Sequence, residues 1–181
     1  MLYIYSAFLS PFQADNIYIG KFLTVIFTLI SAYFLFKISK LLFNDFTGLL
    51  SSLIFLLSPL ILLLGGVIKT EPLQQLLIII GVYLFAKAIK DKKLNTRYLI
   101  FSGGLFSLAF FARRSSLIYI LFSILILIFT SLNFRNFIKR VLYFSVGILI
   151  PFILIISFFI YHLGFNKTYL IFGPPILFYG T

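Results

Sequence analysis

Apolar residues fall into six runs, at residues 17–39, 47–64, 72–89, 98–112, 115–132 and 139–161, separated by charges, glycines and prolines. Each is close to the ~20 residues that cross a bilayer as a helix. Leucine, isoleucine and phenylalanine dominate these runs, without the apolar–polar alternation of a membrane strand, so all six are read as helices.

Two boundaries need a physical reason. Taken as one helix, residues 98–132 would be roughly 50 Å long against a hydrocarbon core of ~30 Å. The polar group within them is Arg113-Arg114-Ser115-Ser116, and a serine there can cap a new helix. At residues 65–71, paired glycines close one helix and Glu71-Pro72 opens the next, proline being accepted at a first helical position.

Counting lysine and arginine by alternate loops gives an orientation. One side collects Lys37, Lys40, Lys87, Lys90, Lys92, Lys93, Arg97, Arg135, Lys139 and Arg140; the other has Lys21, Lys69, Arg113, Arg114 and Lys167. The ten-to-five bias places the N-terminus outside and the cluster from Lys87 to Arg97 in the cytoplasm.

Composition fixes the class. With 62% hydrophobic and 10% charged residues and a mean hydropathy of +1.15, the chain has too little polar surface for water. The fold expected is all-α: one polytopic transmembrane helix bundle of about six spans over residues 1–181, with no linker or repeat to divide it. The net charge of +11 is scattered between apolar runs rather than gathered on a face, so it reads as a topology signal and not as a nucleic-acid site. Without cysteine there is no disulfide, thiolate metal site or cysteine nucleophile. The first twelve residues lack the basic start and cleavage site of a signal peptide.

Candidate chemistry gathers on the outer side. Lys69, Glu71, Arg113 and Arg114 lie in two tight turns, each leading into the N-terminus of a helix. Unpaired N–H groups and partial positive charge at helix N-termini favour anions, so two such ends with three cations suit a phosphate. The short 98–112 run reaches only ~22 Å and holds the two arginines at a depth where charges line wet cavities. The competing reading makes them headgroup anchors, as is also open for Lys69. Glu71 is either a cap residue paired with Lys69 or a catalytic or substrate-binding acid. Asp15 reads as a loop acid, and Asp45 and Asp91 fall on the lysine-rich side. His162 has no second histidine or carboxylate beside it in sequence and reads as an interface residue. Gly103-Gly104 reads as a close helix-packing point. No cofactor signature is evident, no metal set is assigned, and a divalent metal has no support in the residues; Walker, zinc and serine-elbow motifs are absent from the sequence.

The order of these features resembles a known family. Gly20-Lys21, the Lys37 to Phe43 stretch, Gly48, Ser58-Pro59, the Lys69-Thr70-Glu71-Pro72 turn, Gly103-Gly104 and Ala112-Arg113-Arg114 are arranged as in polyprenyl-phosphate-sugar glycosyltransferases of the GT-C class. The nearest likeness is to family 39, which includes protein O-mannosyltransferases and lipid A aminoarabinose transferases. Phe172-Gly173-Pro174 and Tyr179-Gly180 are similar to an outer-loop pattern of such enzymes. The resemblance implies a hexosyl or mannosyl-type transferase that takes a sugar from a lipid-phosphate carrier at the outer face of the cell membrane and inverts the anomeric centre. It implies an aspartate general base in a first outer loop, which would lie upstream of Met1. The chain is accordingly expected to be an internal or truncated piece, lacking the first span, that loop and a C-terminal region. Glu71 matches the family's outer acid at a helix start, and Arg113 or Arg114 a basic residue facing the donor phosphate, with Lys69 beside them. The alternative from another class is a non-enzymatic transport or anionic-lipid-binding subunit using the same cations, and a third reading leaves a bundle whose polar residues only anchor it.

Overall fold

The computed structural model describes residues 17–59, 61, 71–90, 95–130 and 134–163. Lys69, Asp15, Asp91 and the residue 172–180 pattern lie outside them. Among the described residues there are six α-helices: α1 (Ile17–Leu42), α2 (Asp45–Leu57), α3 (Glu71–Lys90), α4 (Thr96–Ala112), α5 (Leu117–Thr130) and α6 (Phe134–Leu163). A 3-10 turn, Arg114–Ser116, links α4 to α5. The chain is an all-α membrane bundle. Three stretches, Gly20–Leu42, Glu71–Lys90 and Asn136–His162, are long and apolar enough to cross a membrane, and the other three apolar helices are shorter.

Polar side chains inside α1 are satisfied within the helix. Thr24, Thr28 and Ser31 donate to the carbonyls of Gly20, Thr24 and Phe27 at 3.0, 2.9 and 2.7 Å, which removes three hydroxyls from contact with hydrocarbon. The turn into α2 is built by Asn44, whose side chain accepts from the Thr47 backbone N–H at 2.8 Å. α2 ends before Pro59, with Ser58 in the extended conformation that a following proline imposes (φ −59°, ψ 127°).

Contacts fix the relative directions of α1, α3 and α4. Phe34 meets Tyr83, and Lys90 donates to the Leu41 carbonyl, so α1 and α3 run parallel. Ser102 donates to the Gly81 carbonyl at 2.9 Å while Arg113 meets Glu71, so α4 returns antiparallel to α3. α6 lies along the other side of α4, and α2 packs on α1. The order across the bundle is therefore α2, α1, α3, α4, α6, with α5 touching its neighbours only lightly.

The core follows α4. Leu99, Phe106 and Ala109 are buried there against Ile78, Phe85 and Ala88 of α3, Leu127 of α5 and Phe144 of α6. Phe106 and Phe85 each meet Phe144 edge-on, an arrangement that aromatic quadrupoles favour. At the α4–α6 crossing, a Cβ on Gly103 would strike the Phe144 carbonyl and one on Gly147 the Ile100 carbonyl, so backbone lies directly on backbone. Gly103 is thus a packing residue, as the sequence suggested.

α6 begins at Phe134, earlier than the apolar run starting at residue 139. Charged residues mark where a chain meets the membrane surface, and the helical backbone continues through them.

Candidate functional site

Antiparallel packing of α3 against α4 carries the start of α3 to the α4–α5 break. Glu71 and Pro72 open α3, as their sequence signal predicts. α4 ends at Ala112, where Arg113 turns to extended backbone (φ −159°, ψ 129°). The carboxylate Oε1 of Glu71 then accepts from Nη1 of Arg113 at 2.9 Å, with the side chains 29% and 48% exposed. This ion pair joins the two turns singled out in the sequence. Among the described residues Glu71 is paired with Arg113, 42 residues away. Arg114 is exposed in the adjoining 3-10 turn.

Beneath the ion pair lies a polar contact that the sequence reading missed. Gln74, one turn into α3 from Glu71 and buried, donates from Nε2 to the Ser116 hydroxyl at 2.8 Å and to that of Ser115 at 3.2 Å. Ser116, fully buried, donates in turn to the Ala109 carbonyl at 3.0 Å. The expected serine cap is therefore corrected: the turn has no side-chain cap, and the Ser116 hydroxyl closes the preceding helix instead of opening the next. The Ala109 carbonyl already accepts from the Arg113 N–H at 2.9 Å, so the Ser116 hydroxyl is a second donor to it, and the bond spares a fully buried hydroxyl the cost of being left unpaired. The available signal was Gln74-Gln75, two adjacent amides within an otherwise apolar helix, which require a partner at that depth.

The arrangement can hold an anion. A guanidinium presents five N–H donors in one plane, so the carboxylate bond at Nη1 leaves Arg113 further donors for a phosphate. Arg114 adds a second positive charge one residue on. The other sequence candidates are not brought here. Asp45 pairs with Lys40 at 3.0 Å on the opposite end of α1, and His162 closes α6, stacked on Phe158 at 4.2 Å.

Residues 1–161 match the family model described as dolichyl-phosphate-mannose-protein mannosyltransferase. The chain belongs to that family. It is an integral membrane glycosyltransferase of the GT-C type, and the mannosyltransferase-like reading of its sequence agrees with the match. No significant match was found among the curated proteins or the solved structures.

Proposed function

We propose that this member transfers a sugar from a polyprenyl-phosphate carrier to an acceptor at the outer face of the cell membrane, with the α4–α5 break forming the wall that faces the donor phosphate. The observation that carries this reading is the Glu71–Arg113 pair, which draws the start of α3 to the Arg113–Arg114 turn at the end of the bundle. Arg113 and Arg114 stabilise negative charge as it develops on the departing lipid phosphate, and Lys69, two residues before Glu71 in the sequence, adds to that field. Glu71 fixes the plane of Arg113 and orients sugar or acceptor. The lysine and arginine excess at the other end supports an outward-facing site.

The test uses the protein in membranes, supplied with a polyprenyl-phosphate-linked mannose and scored for sugar transfer. Arg113→Ala and Arg114→Ala should each raise the barrier by about 2–4 kcal/mol, the loss typical of removing one donor to a developing charge. Normal turnover in both variants would remove the phosphate wall from this end.

A further inference from the structure

The α4–α6 seam holds two polar groups whose usual bonds are missing. Pro151 lies inside α6 and has no N–H, so the carbonyl of Gly147 lacks its helical donor. Ser107 of α4 is buried, and its hydroxyl meets no partner among the described residues. Thr24, Thr28, Ser31, Ser123 and Thr130 each donate to the carbonyl four residues back in their own helix, a bond that Ser107 does not make. A buried hydroxyl left in this state calls for a reason.

The two groups converge on one level of the seam. Gly104 and Phe111, three residues before Ser107 and four after it, share its face of α4. A Cβ on Gly104 would stand 3.5 Å from the Gly147 carbonyl oxygen and 3.7 Å from Pro151 Cγ, and the Phe111 ring meets that of Phe152 at 5.5 Å. Gly147 packs at Ile100 and Pro151 at Gly104, so α6 runs parallel to α4 here. Helical side chains tilt toward the N-terminus and helical carbonyls point toward the C-terminus, so Ser107 leans back to the level that the Gly147 oxygen points up to. The Pro151 ring, which crowds the carbonyl four residues before it, occupies that same level.

Below Pro151 the crossing is locked, because a Cβ on Gly103 or Gly147 would strike the backbone of the other helix. Beyond Pro151 the grip is weaker. Ile153, Leu154, Phe158 and Tyr161 are exposed, and the Phe111–Phe152 ring pair holds this part of α6 to α4. A proline between a fixed and a lightly held stretch is where a helix bends.

We propose that residues 152–163 form a strap that swings on Pro151 between the closed position described above and an open one, in which Ser107 donates to the Gly147 carbonyl. The swing carries the Pro151 ring out of the seam and exchanges the Phe111–Phe152 contact for that hydrogen bond. It opens the seam to the bilayer beside Phe111, two residues before Arg113. The strap does not depend on sugar transfer.

The chain has no cysteine, so Phe22→Cys and Tyr161→Cys, exposed on α1 and α6 toward the Arg113 end of the bundle, take two spin labels without competition. α1 and α6 lie on opposite sides of α4, so a swing away from α4 lengthens the distance between the labels. Pulsed dipolar spectroscopy of the labelled chain in nanodiscs should give two distances. Ser107→Ala should lower the longer-distance population about fivefold, the change made by one net hydrogen bond. Pro151→Ala, which restores the N–H to α6, should remove it. A single distance in the labelled chain, or two that neither substitution alters, would overturn the strap; loss with Pro151→Ala but not with Ser107→Ala would overturn the bond to Gly147. Should Pro151→Ala not accumulate, Ser107→Ala, on a different helix, carries the same test.

Discussion

Arg113 and Glu71 meet at 2.9 Å at the end of the bundle, while Gln74 and Ser116 meet at 2.8 Å just inside it. The outer contact is an ion pair open to water and the inner one a buried amide–hydroxyl bond, so the two differ in what their loss costs. The outer pair can exchange partners cheaply; the inner bond keeps the two turns together while it does so.

For the outer pair, a double-mutant cycle of Glu71→Gln and Arg113→Gln on thermal unfolding in detergent should return a coupling of only about 0.2–1 kcal/mol, as for other exposed pairs. The same Arg113 substitution should lower sugar transfer far more than that. A coupling of several kcal/mol would make the pair structural.

For the inner bond, Gln74→Leu removes the donor to Ser116 at a buried position. It should destabilise by about 1–3 kcal/mol, read as a lower unfolding midpoint, because the paired hydroxyl loses a partner it cannot replace with water. An unchanged midpoint would mean that the turn is held elsewhere.

The helix starts at Glu71-Pro72 and the break at Arg113 were legible in sequence because each is a local event, decided by residues within one turn. The pairing of Glu71 with Arg113 was only half legible: topology brought their turns to one side, but the choice of partner required the α3–α4 register. Gln74 and Ser116 were not legible as a pair. Register across 42 residues is set by packing, here by Gly81 lying under Phe106 and by Ser102 reaching the Gly81 carbonyl. Asn44 was missed for a different reason: it stands just before an apolar run whose start was read two residues later, at 47, than the helix begins.

Adjacent glycines on α4 should respond differently to the same change. A Cβ at Gly103 meets the Phe144 carbonyl, so Gly103→Ala must push α4 and α6 apart, at a cost of about 1–3 kcal/mol typical of overpacking. At Gly104 the nearest atoms are the Gly147 carbonyl oxygen at 3.5 Å and Pro151 Cγ at 3.7 Å, ordinary contact distances. Gly104→Ala should leave the unfolding midpoint nearly unchanged, and equal effects at both positions would contradict the crossing.

Ser107 on α4 offers a gain. Its hydroxyl is buried with no hydrogen-bond partner among the described residues. Ser107→Ala should stabilise by about 1 kcal/mol, by removing a desolvated polar group. A fall in the unfolding midpoint would show that the hydroxyl is satisfied in the membrane.

α5 gives the Arg113–Ser116 turn a mechanical character. Its fourteen residues rise about 21 Å, short of a ~30 Å hydrocarbon core, and its outward side chains, from Leu117 to Phe129, are largely exposed along its length. Because it grips its neighbours so lightly, hydrophobic mismatch is borne at its ends, and one of those ends is the turn that carries both arginines. Bilayer thickness is thereby coupled to the placement of Arg113 and Arg114, so the lipid around this protein acts as a tension on its charges as well as a solvent for its helices.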